Sequence, residues 1–115
     1  MDYAEARFNM VENQVRTNRV TDSLVIEAMS ELPREFFVQK SQQGIAYIDE
    51  DIEISPGRFL MEPMVLARLL QAAEVVESDV VLDIGCGTGY ASAVLSRIAN
   101  TVVALECDPA LAMQA

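Results

Sequence analysis

The chain has 115 residues, 51% of them hydrophobic, which suits one small domain with an apolar core. Eight basic against 18 acidic residues leave a net charge of −10, which argues against nucleic acid or an anionic membrane as main partner, since both need a basic patch. No apolar run reaches the roughly 18 residues of a membrane span, and the start, Met1-Asp2-Tyr3-Ala4-Glu5, lacks the basic-then-apolar pattern of a signal peptide, so the expected compartment is the cytoplasm.

Residues 4 to about 17 read as a helix, with Ala4, Phe8, Val11 and Val15 at i, i+4, i+7 and i+11 as one apolar stripe. Thr21 or Asp22 is positioned to cap a second helix. Its expected buried face is Leu24, Val25, Ala28, Met29 and Leu32, and Pro33 stops it. Arg34-Glu35-Phe36-Phe37-Val38 reads as a short apolar knot that docks this helical layer on a core. Ile52 and Ile54 alternate with Asp51 and Glu53, the period of a short strand, and Ser55-Pro56-Gly57 signals a turn. Pro63 suits the first position of a helix running to about Ala73, buried through Met64, Val65, Leu66, Leu69, Leu70 and Ala73. A boundary near residue 75 separates a helical, substrate-side region (1–74) from the start of a doubly wound sheet (75–115).

The run from residue 80 to 90 organises the chain. Val80, Val81 and Leu82 suit a strand buried on both faces, Asp83 follows, and Gly85, Gly87 and Gly89 alternate before a helix over 90–98. Strand, glycine turn and helix make the nucleotide-site geometry of open α/β sheets. A second strand-like run, 101–105, ends in Glu106, an acid able to accept both hydroxyls of a ribose. Two features argue against a dinucleotide. The third glycine comes one residue earlier than in G-x-G-x-x-G, and Asp83 sits beside the place of a pyrophosphate, where an acid suits a cationic ligand instead. Cys86 and Cys107, in a chain without histidine, make a poor zinc site and read as small side chains packed at turns; no metal is expected. Asp108 and Pro109 start a last helix. Two strands alone would leave an unpaired apolar edge, so the expectation is the N-terminal part of a longer protein.

The pattern of Asp83, Gly85, Gly87 and Gly89 with the distal Glu106 resembles the first motif of class I S-adenosylmethionine-dependent methyltransferases. That resemblance implies a Rossmann-like doubly wound α/β fold, here its first half behind an N-terminal helical layer. It also implies S-adenosyl-L-methionine as cofactor. The glycines would line its methionine and ribose, Asp83 would help hold the ammonium group, and Glu106 would hold the ribose. The N-terminal part narrows the family. Met10-Val11-Glu12-Asn13-Gln14-Val15-Arg16, Val20-Thr21-Asp22, Ala28-Met29, Pro33-Arg34-Glu35-Phe36-Phe37-Val38 and Ala46-Tyr47 resemble the opening of protein-L-isoaspartate O-methyltransferases. The resemblance implies methyl transfer to the carboxylate of isoaspartyl residues in damaged protein, a repair reaction. A carboxylate is already a nucleophile, so positioning supplies most of the catalysis and a histidine base is not required.

One segment departs from the family. Its pattern G-Q-T-I-S-x-P is here Gly57-Arg58-Phe59-Leu60-Met61-Glu62-Pro63. Phe59 and Met61 stand where the family carries hydroxyls, and Arg58 where it carries glutamine. A thioether is at best a weak acceptor. Phe59, Leu60 and Met61 therefore read either as core packing or as a reshaped substrate pocket. The departure also motivates an alternative function: a cofactor-binding relative that has lost isoaspartyl methylation and serves as a binding or regulatory module.

Overall fold

A computed structural model of the chain describes residues 2–115. Asp2 caps the first helix, α1 (Tyr3–Met10), by accepting from the Glu5 N–H. The helical path continues through a wide π turn, Val11–Val15, and a 3-10 turn, Arg16–Asn18. Met10, Val11 and Val15 are buried, but Ala4 and Phe8 of the expected stripe face solvent, Phe8 with 64% of its surface exposed. The rotation of α1 is set by Arg7. Its Nε donates to the Tyr47 hydroxyl at 2.9 Å and its Nη2 approaches Glu35 at 3.4 Å, which turns the adjacent Phe8 outward. The π turn then advances fewer degrees per residue than an α turn and brings Val15 round to the face of Met10.

Asp22 caps α2 (Ser23–Glu31), accepting from the N–H groups of Leu24 and Val25. Its buried face is Val25, Ile26, Ala28 and Met29, with Leu24 turned out, one position round from the expected face. The following 3-10 turn, Arg34–Phe37, inverts the expectation of an apolar knot: Arg34 and Glu35 are buried and Phe36 is 75% exposed. Buried polar groups are as a rule bonded, and here two of the three Arg34 guanidinium nitrogens and the Glu35 carboxylate are. Arg34 Nε donates to the Ala46 carbonyl at 2.6 Å and Nη2 to the Met61 carbonyl at 2.9 Å. The guanidinium carbon lies 4.8 Å from the Tyr90 ring centre. Glu35 accepts from the Tyr47 hydroxyl.

A second 3-10 segment, Lys40–Ile45, leads to β1 (Ile52–Ser55), where Ile52 and Ile54 point inward as their alternation requires. Gly57, at φ +72°, turns the chain into β2 (Arg58–Leu60), a strand the sequence reading did not separate. The two strands pair antiparallel, Ile52 opposite Leu60. Pro63 opens α3 (Pro63–Ala73) as expected; Pro63, Leu66, Ala67 and Leu70 are buried, while Leu69 and Ala73 face outward.

The remainder is a parallel strand–helix–strand unit: β3 (Val80–Ile84), α4 (Tyr90–Ser96) and β4 (Thr101–Leu105), closed by α5 (Pro109–Gln114). β3 and β4 run parallel, Val80 opposite Thr101 and Ile84 opposite Leu105. β3 is not buried on both faces: Val80, Leu82 and Ile84 are 71%, 55% and 75% exposed, while Val81 and Asp83 on the other face of the pleat are half buried. The side chains of Val15, Met29, Ala67, Tyr90 and Val94 belong to one core that joins the helical layer to the α4 side of the sheet. Among the described residues no helix is long and apolar enough to cross a membrane.

Candidate functional site

The loop after β3 folds over the end of β4, because the Gly85 and Cys86 N–H groups both donate to the Leu105 carbonyl, at 2.8 and 3.1 Å. Gly87 sits at φ +62°, and a Cβ there would lie 3.0 Å from Ile54 Cδ1, so the β1–β2 hairpin closes on the loop tightly enough that a side chain would have to displace the end of Ile54. Gly89, at φ +93°, turns the chain into α4. Both positions need the freedom that glycine alone has at no steric cost. Thr88 Oγ1 donates to the Phe37 carbonyl at 2.6 Å and ties the loop to the N-terminal layer.

Between hairpin and loop lies a cleft of about 370 Å³. Asp83, Gly85 and Gly87 line one side; Arg58, Phe59 and Met61 line the other. Gly89 is buried behind the loop, and Glu106 stands just past β4 with a side chain 2% exposed. The five expected cofactor residues are thus gathered at the ends of two parallel strands, where open α/β sheets bind ligands. Asp83 accepts from Ser92 Oγ at 2.7 Å. Phe59 and Met61 are 56% and 37% exposed, whereas Leu60 is buried; the core-packing reading holds for Leu60 alone.

Glu106 is the most constrained acid of the site. Oε1 accepts from the Gly87 N–H at 2.8 Å, Oε2 from the Asp108 N–H at 2.9 Å, and Arg58 spans both oxygens. The Arg58 guanidinium, joined by those two N–H groups, outweighs partial desolvation and holds the carboxyl down to about 2. Burial, followed by Asp83 and Glu106, pushes the Cys86 thiol up, so it is not an activated nucleophile. A second cavity, about 300 Å³ between α1 and Tyr47, is lined by Asn9, Asn13 and Gln14 and carries no carboxylate. The chemistry favours the cleft.

Arg58, Ser92 and Thr88 were not among the sequence-derived candidates. Arg58 had one visible signal, a cation in a segment that departs from the family pattern. Ser92 and Thr88 had none, since each acts through a partner that only the fold brings near.

The family model for Protein-L-isoaspartate(D-aspartate) O-methyltransferase matches residues 6–115. Curated relatives include the protein-L-isoaspartate O-methyltransferase of Roseiflexus sp. (strain RS-1), 37% identical over 115 residues, covering 100% of this chain and 52% of that protein. The enzyme of that name from Methylorubrum extorquens (strain PA1) is 40% identical over 110 residues, covering 96% of this chain and 48% of its own length. The chain therefore spans about half the length of the curated relatives it matches. A solved protein-L-isoaspartate O-methyltransferase superposes with a TM-score of 0.79 at 26% identity, covering 94% of this chain and 36% of that one. A Plasmodium falciparum structure described under the same enzyme name, in complex with S-adenosyl-L-homocysteine, superposes at 0.77 with 22% identity, covering 99% and 53%.

Proposed function

The chain belongs to the protein-L-isoaspartate(D-aspartate) O-methyltransferase family, and on that premise we propose that it works in methyl transfer from S-adenosyl-L-methionine to the free carboxylate of isoaspartyl residues in damaged protein, in the cytoplasm. The observation that carries this reading is the glycine loop, with Asp83 at one end and Glu106 beside it, at the ends of two parallel strands. The S-adenosyl-L-homocysteine bound in the Plasmodium falciparum structure supports the choice of cofactor. The residues fit the group: Gly85 and Gly87 border the cleft without side chains, Asp83 lines it as an acid for a cation, and Glu106 stands behind the Arg58 guanidinium as an acid for a diol.

When bound, the cofactor supplies an electrophilic methyl group on a sulfonium. Asp83, fixed by Ser92, would hold its ammonium, and Glu106 its ribose. Ionised Glu106 accepts hydrogen bonds and abstracts no proton. The substrate carboxylate would enter past Phe59 and Met61, which line the cleft and offer no hydroxyl. Orientation of the two reactants then supplies most of the rate. The relatives reported above carry the enzyme's name, and none favours a binding module without activity.

The test is transfer of labelled methyl to an isoaspartyl peptide by the full-length gene product. Labelling of the isoaspartyl peptide, with none of the same peptide carrying ordinary aspartate, is the expected result. Cofactor binding without transfer to any isoaspartyl peptide would refute the substrate assignment.

A further inference from the structure

The Glu106 carboxylate is saturated by the protein itself. An ionised carboxylate offers about four lone-pair sites. Gly87 N–H and Arg58 Nη2 occupy Oε1, and Asp108 N–H and Arg58 Nη1 occupy Oε2, the last at 2.8 Å. Nothing remains for a ligand hydroxyl. The two backbone donors are fixed, one in the glycine loop and one at the cap of α5. Arg58 is the movable donor. It projects from the three-residue strand β2, and its side chain is 32% exposed against 2% for Glu106. It also leans over the loop, with Nη2 3.4 Å from the Gly85 carbonyl. The guanidinium thus stands in the cleft, above the glycines and on the acid.

We propose that Arg58 is a latch that competes with the cofactor ribose for Glu106 and must swing out before the cofactor seats, so that Arg58 sets the cofactor affinity. This rests on the S-adenosylmethionine reading of the site. The exchange balances: two N–H donors leave Glu106, two hydroxyls of a vicinal diol enter, and the released guanidinium reaches water. A closed latch lowers the apparent affinity by the fraction of molecules in which it is open. A bidentate guanidinium–carboxylate pair is strong for an ion pair, yet at this exposure it is weakened by salt.

The experiment is calorimetric titration of the full-length gene product with S-adenosyl-L-homocysteine, for wild type, Arg58→Gln and Arg58→Lys, at low and high KCl. Arg58→Gln should bind about tenfold tighter, the factor for a latch open about one tenth of the time. Arg58→Lys, which keeps the charge and loses the fork, should fall between. The advantage of Arg58→Gln should shrink as KCl rises, a readout that a merely structural arginine would not move. Equal or weaker binding by both variants, or a ratio indifferent to salt, overturns the latch. If Arg58→Gln does not fold, Arg58→Lys and the salt dependence of wild type decide it. If no form takes up S-adenosyl-L-homocysteine, the cofactor reading itself falls; if all bind alike, only the latch does.

Discussion

Replacing Gly87 by alanine probes the loop where the structure leaves least room. The residue sits at φ +62°, and the new Cβ would lie 3.0 Å from Ile54 Cδ1. An L-residue in the left-handed region costs about 1–2 kcal/mol. The carbon contact is closer than the roughly 3.5–4.0 Å optimum, but Cδ1 is the free end of a side chain and gives way for a smaller cost. Its retreat is limited because Ile54 is itself buried at 5% exposure. Together the expected destabilisation is about 1–3 kcal/mol. The Gly87 N–H holds Glu106 Oε1 at 2.8 Å, so any shift of the loop also displaces the acid, and S-adenosyl-L-homocysteine binding should weaken in the same variant. Ile54→Val removes Cδ1 and costs about 0.5–1.5 kcal/mol by itself. In the double variant the contact is gone and the backbone strain remains, so the double should be less destabilised than the sum of the singles by about 0.5–1 kcal/mol. Urea unfolding and ligand titration of all four proteins measure both quantities. A Gly87→Ala protein as stable as wild type would refute the close packing of hairpin on loop. Strict additivity would locate the whole effect in the backbone.

Phe59→Thr with Met61→Ser should raise isoaspartyl methylation about 5- to 150-fold, the equivalent of a restored 1–3 kcal/mol hydrogen bond. The stability cost should be small, since both side chains are exposed at 56% and 37%, and an unchanged rate would show that the hydroxyls are dispensable here. Glu106 is held down to about 2 from an ordinary 4.5. Its contribution is therefore present above about pH 4.5 and lost as pH falls through the folded value. Unfolding midpoints against pH should show Arg58→Gln losing stability at a higher pH than wild type, and coincident acid limbs would separate Arg58 from Glu106. The 115-residue chain produced alone should self-associate through the face that exposes Val80, Leu82 and Ile84; a monomer by light scattering at high concentration would contradict this.

The features legible in the sequence are those decided within a few residues. Asp22, Pro63 and Asp108 start their helices because a cap or a fixed φ acts on the next turn of the same chain. The alternate glycines after Asp83 announce a strand-to-helix loop for the same reason, since positive φ is a property of one residue at a time. Tertiary structure decided what depends on partners far along the chain. The inward face of α1 turns on Arg7 meeting Tyr47 and Glu35, which no helical periodicity contains. The reversal at Arg34 and Phe36 follows from carbonyls of Ala46 and Met61 and the ring of Tyr90 being in reach of one guanidinium; hydrophobicity ranks the phenylalanine inward, and hydrogen bonding overrules it. The exposed strand β3 reads as doubly buried because its composition records apolar neighbours, while its exposure depends on what covers the sheet. Glu106 is visible as an acid at the tip of a strand. That it is already closed by Arg58, 48 residues earlier, is decided only where the hairpin crosses the glycine loop, because a charge pair is a property of distance in space and not of spacing along the chain.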